Sequence, residues 1–249
     1  MRRDSEQERP EKPAMHLLGQ LIGYPYFALA HGLRWSGARN VPRRGPAIIA
    51  ANHQSFYDPV MITLAANRWV TYIGLEQFFG YPVLGTLMRA CGCLPVSEHP
   101  RVPGAYIGLA RALRRGRVVG IFPEGGRSPD GLPEPPRPGV GALALSSGAP
   151  VIPVTILGAH EAWTPGRALP RSAPIRVAFG EPMRFGRDRA VPRSGTARRE
   201  EVSFEIMLRV CEGFAALGRP DVARAARAKL LGRRGTRGEP GWPPARASG

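Results

Sequence analysis

The sequence predicts an α/β fold, a central mostly parallel or mixed sheet covered by helices, with an N-terminal helical hairpin in front of it. Three observations predict it. Short, continuous apolar runs bounded by turn residues recur at 46–51, 117–122, 151–157 and 175–179, the pattern of strands buried on both faces. Segments with helical spacing separate them, and strand–helix alternation through loops is how a mostly parallel sheet is wound. Ahead of these, 13–33 runs uncharged for 21 residues.

Size and composition bound the reading. A chain of 249 residues suits one large domain better than two complete ones. At 43% hydrophobic and 22% charged, it holds apolar material enough for a sizeable core, which excludes wholesale disorder. No Gly-x-y period accompanies the 31 Gly and 27 Pro, which excludes collagen, and 3 Cys exclude a disulfide scaffold and fit a reducing compartment. The 35 Lys+Arg against 19 Asp+Glu leave a formal net charge of +16, nearly all of it arginine, since Lys12 and Lys229 are the only lysines. Such charge attracts anionic partners, a phospholipid surface or a phosphorylated substrate among them. The Arg-rich tail shows no recognised nucleic-acid motif and no interleaving of aromatic with basic residues, so no nucleic-acid partner is expected.

The elements follow in order. Residues 1–12 balance acidic with basic side chains and lack an apolar run, which predicts a disordered leader rather than a secretory signal. Residues 13–38 are expected to form membrane-associating helices. The uncharged stretch is long enough to span a bilayer of roughly 30 Å hydrocarbon thickness, but His16, Gln20, His31, three glycines and Pro25 interrupt it. Two short helices fit better, and Tyr24, Tyr26, Phe27 and Trp35 suit the membrane interface, where aromatic rings prefer to sit. A packed soluble helix pair and a true span are the alternatives.

The main domain is expected over 39–231. It opens with a buried strand at 46–51, ended by a polar cluster at 52–58. Asp58-Pro59 starts a helix, with Asp able to cap and Pro pre-set for the first turn. A strand at 70–75, a helical or partly membrane-facing stretch at 78–90, a strand at 93–96 and a helix at 103–115 follow. The strand at 117–122 runs straight into Pro123-Glu124-Gly125-Gly126-Arg127-Ser128. After a turn-rich loop come a small-residue helix at 140–147, strands at 151–157 and 175–179, and a C-terminal helix at 200–217. Residues 232–249, rich in Arg, Gly and Pro, predict a disordered basic tail.

Two segments place reactive side chains directly after a buried strand, where open α/β sheets bind ligands. In Asn52-His53-Gln54-Ser55-Phe56-Tyr57-Asp58, a carboxylate folded back against the imidazole would fix its tautomer and leave the other ring nitrogen free as a base. No Gly-x-Ser-x-Gly elbow surrounds Ser55, so the nucleophile is expected from the substrate: His53 would take the proton of an acceptor hydroxyl as it attacks an activated acyl group. The plainer alternative is that Asp58 caps the helix and His53 bonds backbone. In Phe122-Pro123-Glu124-Gly125-Gly126-Arg127-Ser128, the glycines admit close backbone approach and Arg127 offers a forked donor for phosphate. Glu124 either orients Arg127, binds an acceptor hydroxyl, or forms a structural ion pair.

Taken together, these blocks and the later Ala149-Pro150-Val151-Ile152-Pro153-Val154 resemble the glycerolipid acyltransferase family that includes bacterial lysophosphatidic acid acyltransferase, over 46–182. The family carries NHxSxxD, Gly-x-x-x-φ-x-Arg, FPEGTRS and hydrophobic-Pro blocks in this order. The resemblance implies His53 as base, Asp58 as its orienting partner, Glu124, Gly125, Gly126 and Arg127 as contacts for the acceptor's glycerol phosphate, and Pro153 as shaping the acyl-donor site. It implies an acyltransferase domain that moves a fatty acyl group from acyl-CoA or acyl-carrier protein to a lysophospholipid on the cytoplasmic face of the membrane, held peripherally or monotopically. Direct transfer needs no cofactor and no metal; Cys91-x-Cys93 with His99 lacks the spacing of a zinc site. Backbone amides of the glycine-rich loop are the candidate oxyanion donors.

Two departures stand out. Gly126 replaces the family's usual Thr. In the second block, Ser97 and Glu98 stand where the family places an acid and a phosphate-binding Arg, and Arg101, three residues on, is the candidate substitute. The expected acceptor is 1-acyl-sn-glycerol-3-phosphate. Another lysolipid or lipid-like alcohol, or a catalytically silent lipid-binding homologue, is the alternative.

Overall fold

The computed structural model describes residues 19–66, 68–90, 93–96, 104–167, 169–186 and 196–234. Its centre is a six-stranded sheet in the order β1-β8-β7-β2-β6-β3, built from β1 (Arg34–Ser36), β2 (Ala47–Ala51), β3 (Val70–Thr71), β6 (Val118–Ile121), β7 (Val151–Leu157) and β8 (Arg176–Phe179). All neighbours run parallel except β7 and β8, which pair antiparallel through Val154 opposite Phe179. A small sheet pairs β4 (Ile73–Leu75) with β5 (Leu94–Val96).

Central β2 is buried at every position, as a strand covered on both faces must be. Its side chains alternate between two cores. Ala47, Ile49 and Ala51 meet Met61 and Ile62 of α2 (Asp58–Ala65), together with Ile152, Val154 and Ile156 of β7. Ile48 and Ala50 face Leu109 and Leu113 of α4 (Gly104–Arg114), Leu143 of α5 (Gly139–Ser147), and Val202 and Ile206 of α7 (Thr196–Ala216). On that second face Thr155 Oγ1 donates to Val210 O at 2.6 Å, tying β7 to α7.

The stretch expected as one strand at 70–75 is split between the two sheets. Tyr72 sits at the break: its buried ring fills the space that Gly120 of β6 leaves by lacking a Cβ, and the chain passes there from β3, paired with β6, to β4, paired with β5. Between these, α3 (Pro82–Ala90) follows a 3₁₀ turn at Glu76–Gly80, where one helical stretch was expected.

At the N-terminus, a π turn (Gly19–Gly23) leads directly into α1 (Tyr24–His31), with Pro25 in the first turn, where a missing N–H is tolerated. The other arm of the expected hairpin, 13–18, lies outside the described residues, as do the leader and 235–249. The expected helical segment also reaches too far. Arg34–Ser36 is sheet, because Ile175 N donates to His31 O and Arg34 N donates to Ile175 O, which registers the chain on β8. Buried Phe27 and His31 hold α1 to the core, while Leu21, Ile22 and Leu29 are 66%, 65% and 89% exposed. Among the described residues no helix is long and apolar enough to cross a membrane.

Beyond the helix expected at 200–217, and reaching into the tail expected as disordered from 232, α8 (Pro220–Arg234) forms. Its apolar residues are sparse, but Ala226 and Leu230 are fully buried against Phe204, Met207, Val210 and Phe214 of α7. Tertiary packing stabilises this helix, which its own pattern does not announce.

Candidate active site

Ala50 lies opposite Ile121, so β2 and β6 end side by side and the loops 52–57 and 122–138 emerge together at the C-terminal edge of the sheet. Asn52 closes the exit of β2. Its Nδ2 donates to Ile156 O at 2.9 Å and its Oδ1 accepts from Ile156 N at 2.8 Å, so the buried side-chain amide stands in for one more peptide group of the β2–β7 ladder.

The next residue is fixed from both sides. His53 N donates to Glu124 Oε1 at 2.8 Å, and His53 O accepts from Ser128 N at 2.7 Å. Its ring stacks on Phe122 with centroids 4.0 Å apart, and Nδ1 lies 2.8 Å from Asp58 Oδ2. The side chain keeps 20% exposure, whereas that of Asp58 is fully buried. The same Oδ2 accepts the backbone N–H groups of Gln54 at 2.6 Å and Ser55 at 2.8 Å. Asp58 was expected to be able to cap its helix, but the capping position falls on Tyr57 without a side-chain bond, and the carboxylate turns back into the loop. Ser55 Oγ points inward to Trp163 O at 3.2 Å.

Glu124 braces the loops. It is 7% exposed, and Oε2 accepts Glu134 N at 3.0 Å while Oε1 takes His53 N. Burial pushes its pKa up to about 8, against the lowering effect of those two N–H donors. Gly125 has φ +76°, and a Cβ there would stand 2.5 Å from Arg137 Nε. Gly126 is different, with nothing within 4 Å of the position a Cβ would take, so the loop has room for the family's Thr.

The Arg127 guanidinium carbon sits over the Phe56 ring, 3.8 Å from its centroid. Its Nη1 is buried without a hydrogen-bond partner. Burial lowers its pKa, and the nearby Asp58 charge opposes that. A guanidinium with an unpaired donor, in the loop beside a partly exposed imidazole, is suited to an anionic ligand.

The structure thus brings His53, Asp58, Glu124, Gly125, Gly126 and Arg127 to one edge. Pro153 sits elsewhere, buried inside β7 opposite Ala50, with its carbonyl accepting Gly180 N at 2.8 Å. Arg101, with Ser97, Glu98, His99 and Cys91, lies outside the described residues. Sequence reasoning missed Asn52, Phe56 and Phe122. Asn52 carried a signal, a polar amide directly after a fully apolar strand; the aromatic pair carried none, because stacking partners lie far off in sequence.

The acyltransferase family model matches residues 32–157. A chloroplastic 1-acyl-sn-glycerol-3-phosphate acyltransferase of Brassica napus is 30% identical over 151 residues, covering 59% of this chain and 44% of that protein. The 1-acyl-sn-glycerol-3-phosphate acyltransferase of Bacillus subtilis is 22% identical over 158 residues, covering 63% of this chain and 76% of that protein. The chain spans about half the length of the plant relatives it matches. The crystal structure of the 1-acyl-sn-glycerophosphate acyltransferase from Thermotoga maritima has the same fold, with a TM-score of 0.68 at 23% identity over 84% of this chain and 83% of that one. With half of its residues matched by the family model, in the segment that holds both site loops, the chain belongs to the acyltransferase family.

Proposed function

We propose that this protein transfers a fatty acyl group from an acyl thioester, acyl-CoA or acyl-carrier protein, to the hydroxyl of 1-acyl-sn-glycerol-3-phosphate, giving phosphatidic acid at a membrane surface. The observation that carries the reading is the His53–Asp58 contact, with the ring still partly exposed beside the Arg127 loop. With Nδ1–H donating to Asp58, the lone pair falls on Nε2. That nitrogen takes the acceptor's proton as its oxygen bonds to the thioester carbonyl carbon; the tetrahedral intermediate then expels the thiolate, which recovers the proton from the imidazolium. Gly125 N–H closes the turn on Phe122 O, so the following amides, of Gly126 and Arg127, are the candidates for stabilising the oxyanion.

Asp58 orients the base, Glu124 holds its main chain in place, and Arg127 takes the acceptor's phosphate. Pro153, in this reading, bears on the acyl donor by shaping β7 from within. Leu21, Ile22 and Leu29, with half-exposed Tyr24, Tyr26 and Trp35, form the face that rests on the cytoplasmic leaflet, peripherally or monotopically. Each Arg near an anionic leaflet adds about 1 kcal/mol.

A second reading, transfer to another lysolipid or a lipid-like alcohol, is favoured by Glu98, a carboxylate where the family places a phosphate-binding cation. Labelled acyl-CoA offered with a panel of lysolipids to wild type and His53→Ala tests both. Product from 1-acyl-sn-glycerol-3-phosphate that requires His53 supports the first, product only from other acceptors supports the second, and no product in any lane rejects both.

A further inference from the structure

We propose that Phe56 is the positioning residue that fixes the plane of Arg127 and thereby sets the affinity for the acceptor's anionic headgroup. The inference rests on the reading above, in which Arg127 receives that group. A guanidinium donates hydrogen bonds only from its edge, in its own plane, so the plane decides whether two donors can reach two phosphate oxygens at once. In this site the group over which the guanidinium sits is a ring, and no carboxylate hydrogen-bonds to it among the described residues. The Arg127 guanidinium carbon sits 3.8 Å from the Phe56 centroid, and Nη1, buried, has no partner. A carboxylate partner would neutralise the guanidinium and compete with the ligand. A phenyl face holds the cation without occupying its edge donors.

Phe56 is itself held. Its ring meets Trp163 at 5.5 Å and Phe78 at 6.1 Å, edge-on to the latter. Trp163 is anchored in turn: its Nε1 donates to Arg167 O at 2.9 Å, its backbone N to Ala159 O at 3.0 Å, and its carbonyl accepts Ser55 Oγ. The aromatic box draws on the C-terminal end of α6 (Ala159–Ala162), the helix after β7, and on the 3₁₀ turn at Glu76–Gly80, so two further chain segments hold the ring that Arg127 meets. Three residues before the buried Asp58, Ser55 ties the same loop to Trp163, which keeps Phe56 in register with the base.

Steady-state kinetics of wild type, Phe56→Leu, Phe56→Tyr, Arg127→Ala and the Phe56→Leu/Arg127→Ala double variant, with 1-acyl-sn-glycerol-3-phosphate as acceptor, test this. Phe56→Leu should raise the acceptor KM about tenfold with kcat within about twofold, and Phe56→Tyr should restore it. In the Arg127→Ala background, Phe56→Leu should add nothing. Unchanged KM in Phe56→Leu, additive losses in the double variant, or an equal rise in KM for a phosphate-free monoacylglycerol would overturn the inference. If wild type makes no product at all, the function is wrong instead. Binding to vesicles doped with 1-acyl-sn-glycerol-3-phosphate then decides for Phe56: weaker retention of Phe56→Leu supports it, and equal retention rejects it.

Discussion

Glu124 holds His53 by its main chain, the backbone N–H of His53 donating to Glu124 Oε1 at 2.8 Å across 71 positions of sequence. The side chain expected among the acceptor contacts has both oxygens occupied by amides, and its burial has a consequence that can be measured. Burial raises the Glu124 pKa from 4.5 to about 8, so the folded protein binds a proton more tightly than the unfolded chain. Stability therefore falls as pH rises through that window, by an amount on the order of a few kcal/mol. Glu124→Gln removes the titration. Thermal unfolding of the two proteins across the window should show a steeper decline for wild type, and parallel curves would reject the assignment.

His53→Ala and Asp58→Asn should each lower the transfer rate by about 10²- to 10⁴-fold. Asp58→Asn keeps an oxygen for the amides of Gln54 and Ser55, so its fold should survive. Acyl transfer and circular dichroism on the same preparations check this; a normal rate with a lowered Tm would show that Asp58 only braces the loop.

The adjacent glycines should behave differently. Gly125→Ala meets both a φ of +76° and the Arg137 side chain, and should cost about 1–2 kcal/mol. Gly126→Thr enters open space and should change stability by less than about 0.5 kcal/mol. Urea unfolding distinguishes them, and equal losses would mean that the loop is not shaped as described.

Lys229 of α8 reaches the same loop. Its Nζ lies 2.8 Å from Asp130 and 2.6 Å from Glu134, the residue whose backbone N–H donates to Glu124. Lys229→Met should lower stability by about 1–2 kcal/mol, since the pairs are only partly buried. Opposing the burial that would raise it, hydrogen bonds from Lys229, Leu132 and Ser128 bring the Asp130 pKa down from 3.8 to about 2. A depressed carboxylate stabilises above its unfolded pKa and loses that contribution as pH falls through the folded one. The gap between wild type and variant should then narrow from pH 3.8 toward about 2, and a gap that stays constant would exclude the ion pair as its source.

Leu29 is 89% exposed and far from both site loops in sequence, so Leu29→Asp should weaken sedimentation with anionic vesicles while leaving Tm unchanged. Equal sedimentation would remove α1 from the membrane contact.

Much of the fold was legible because apolar runs report burial directly. Val151–Leu157 has the predicted bounds, and β2, β6 and β8 lie within one residue of theirs or inside them, since a strand covered on both faces reads as a nearly continuous apolar run. The misses share one cause, packing that outweighs local pattern. The apolar run at 70–75 divides at Tyr72, whose ring packs on Gly120, far along the chain. Helix α8 forms on the strength of Ala226 and Leu230 meeting α7.

The same division holds for the site. Residue types and spacing alone determined that His53 follows a buried strand with Asp58 at the start of the next helix, and that an arginine follows the glycines of a second loop. Only the tertiary structure decided what those groups face. The parallel registry of β2 with β6 sets Glu124 under the His53 backbone and Arg127 on Phe56. Hydrogen bonds and ring contacts depend on distance in space, and local pattern carries no information about which of two distant loops will lie a few ångströms apart.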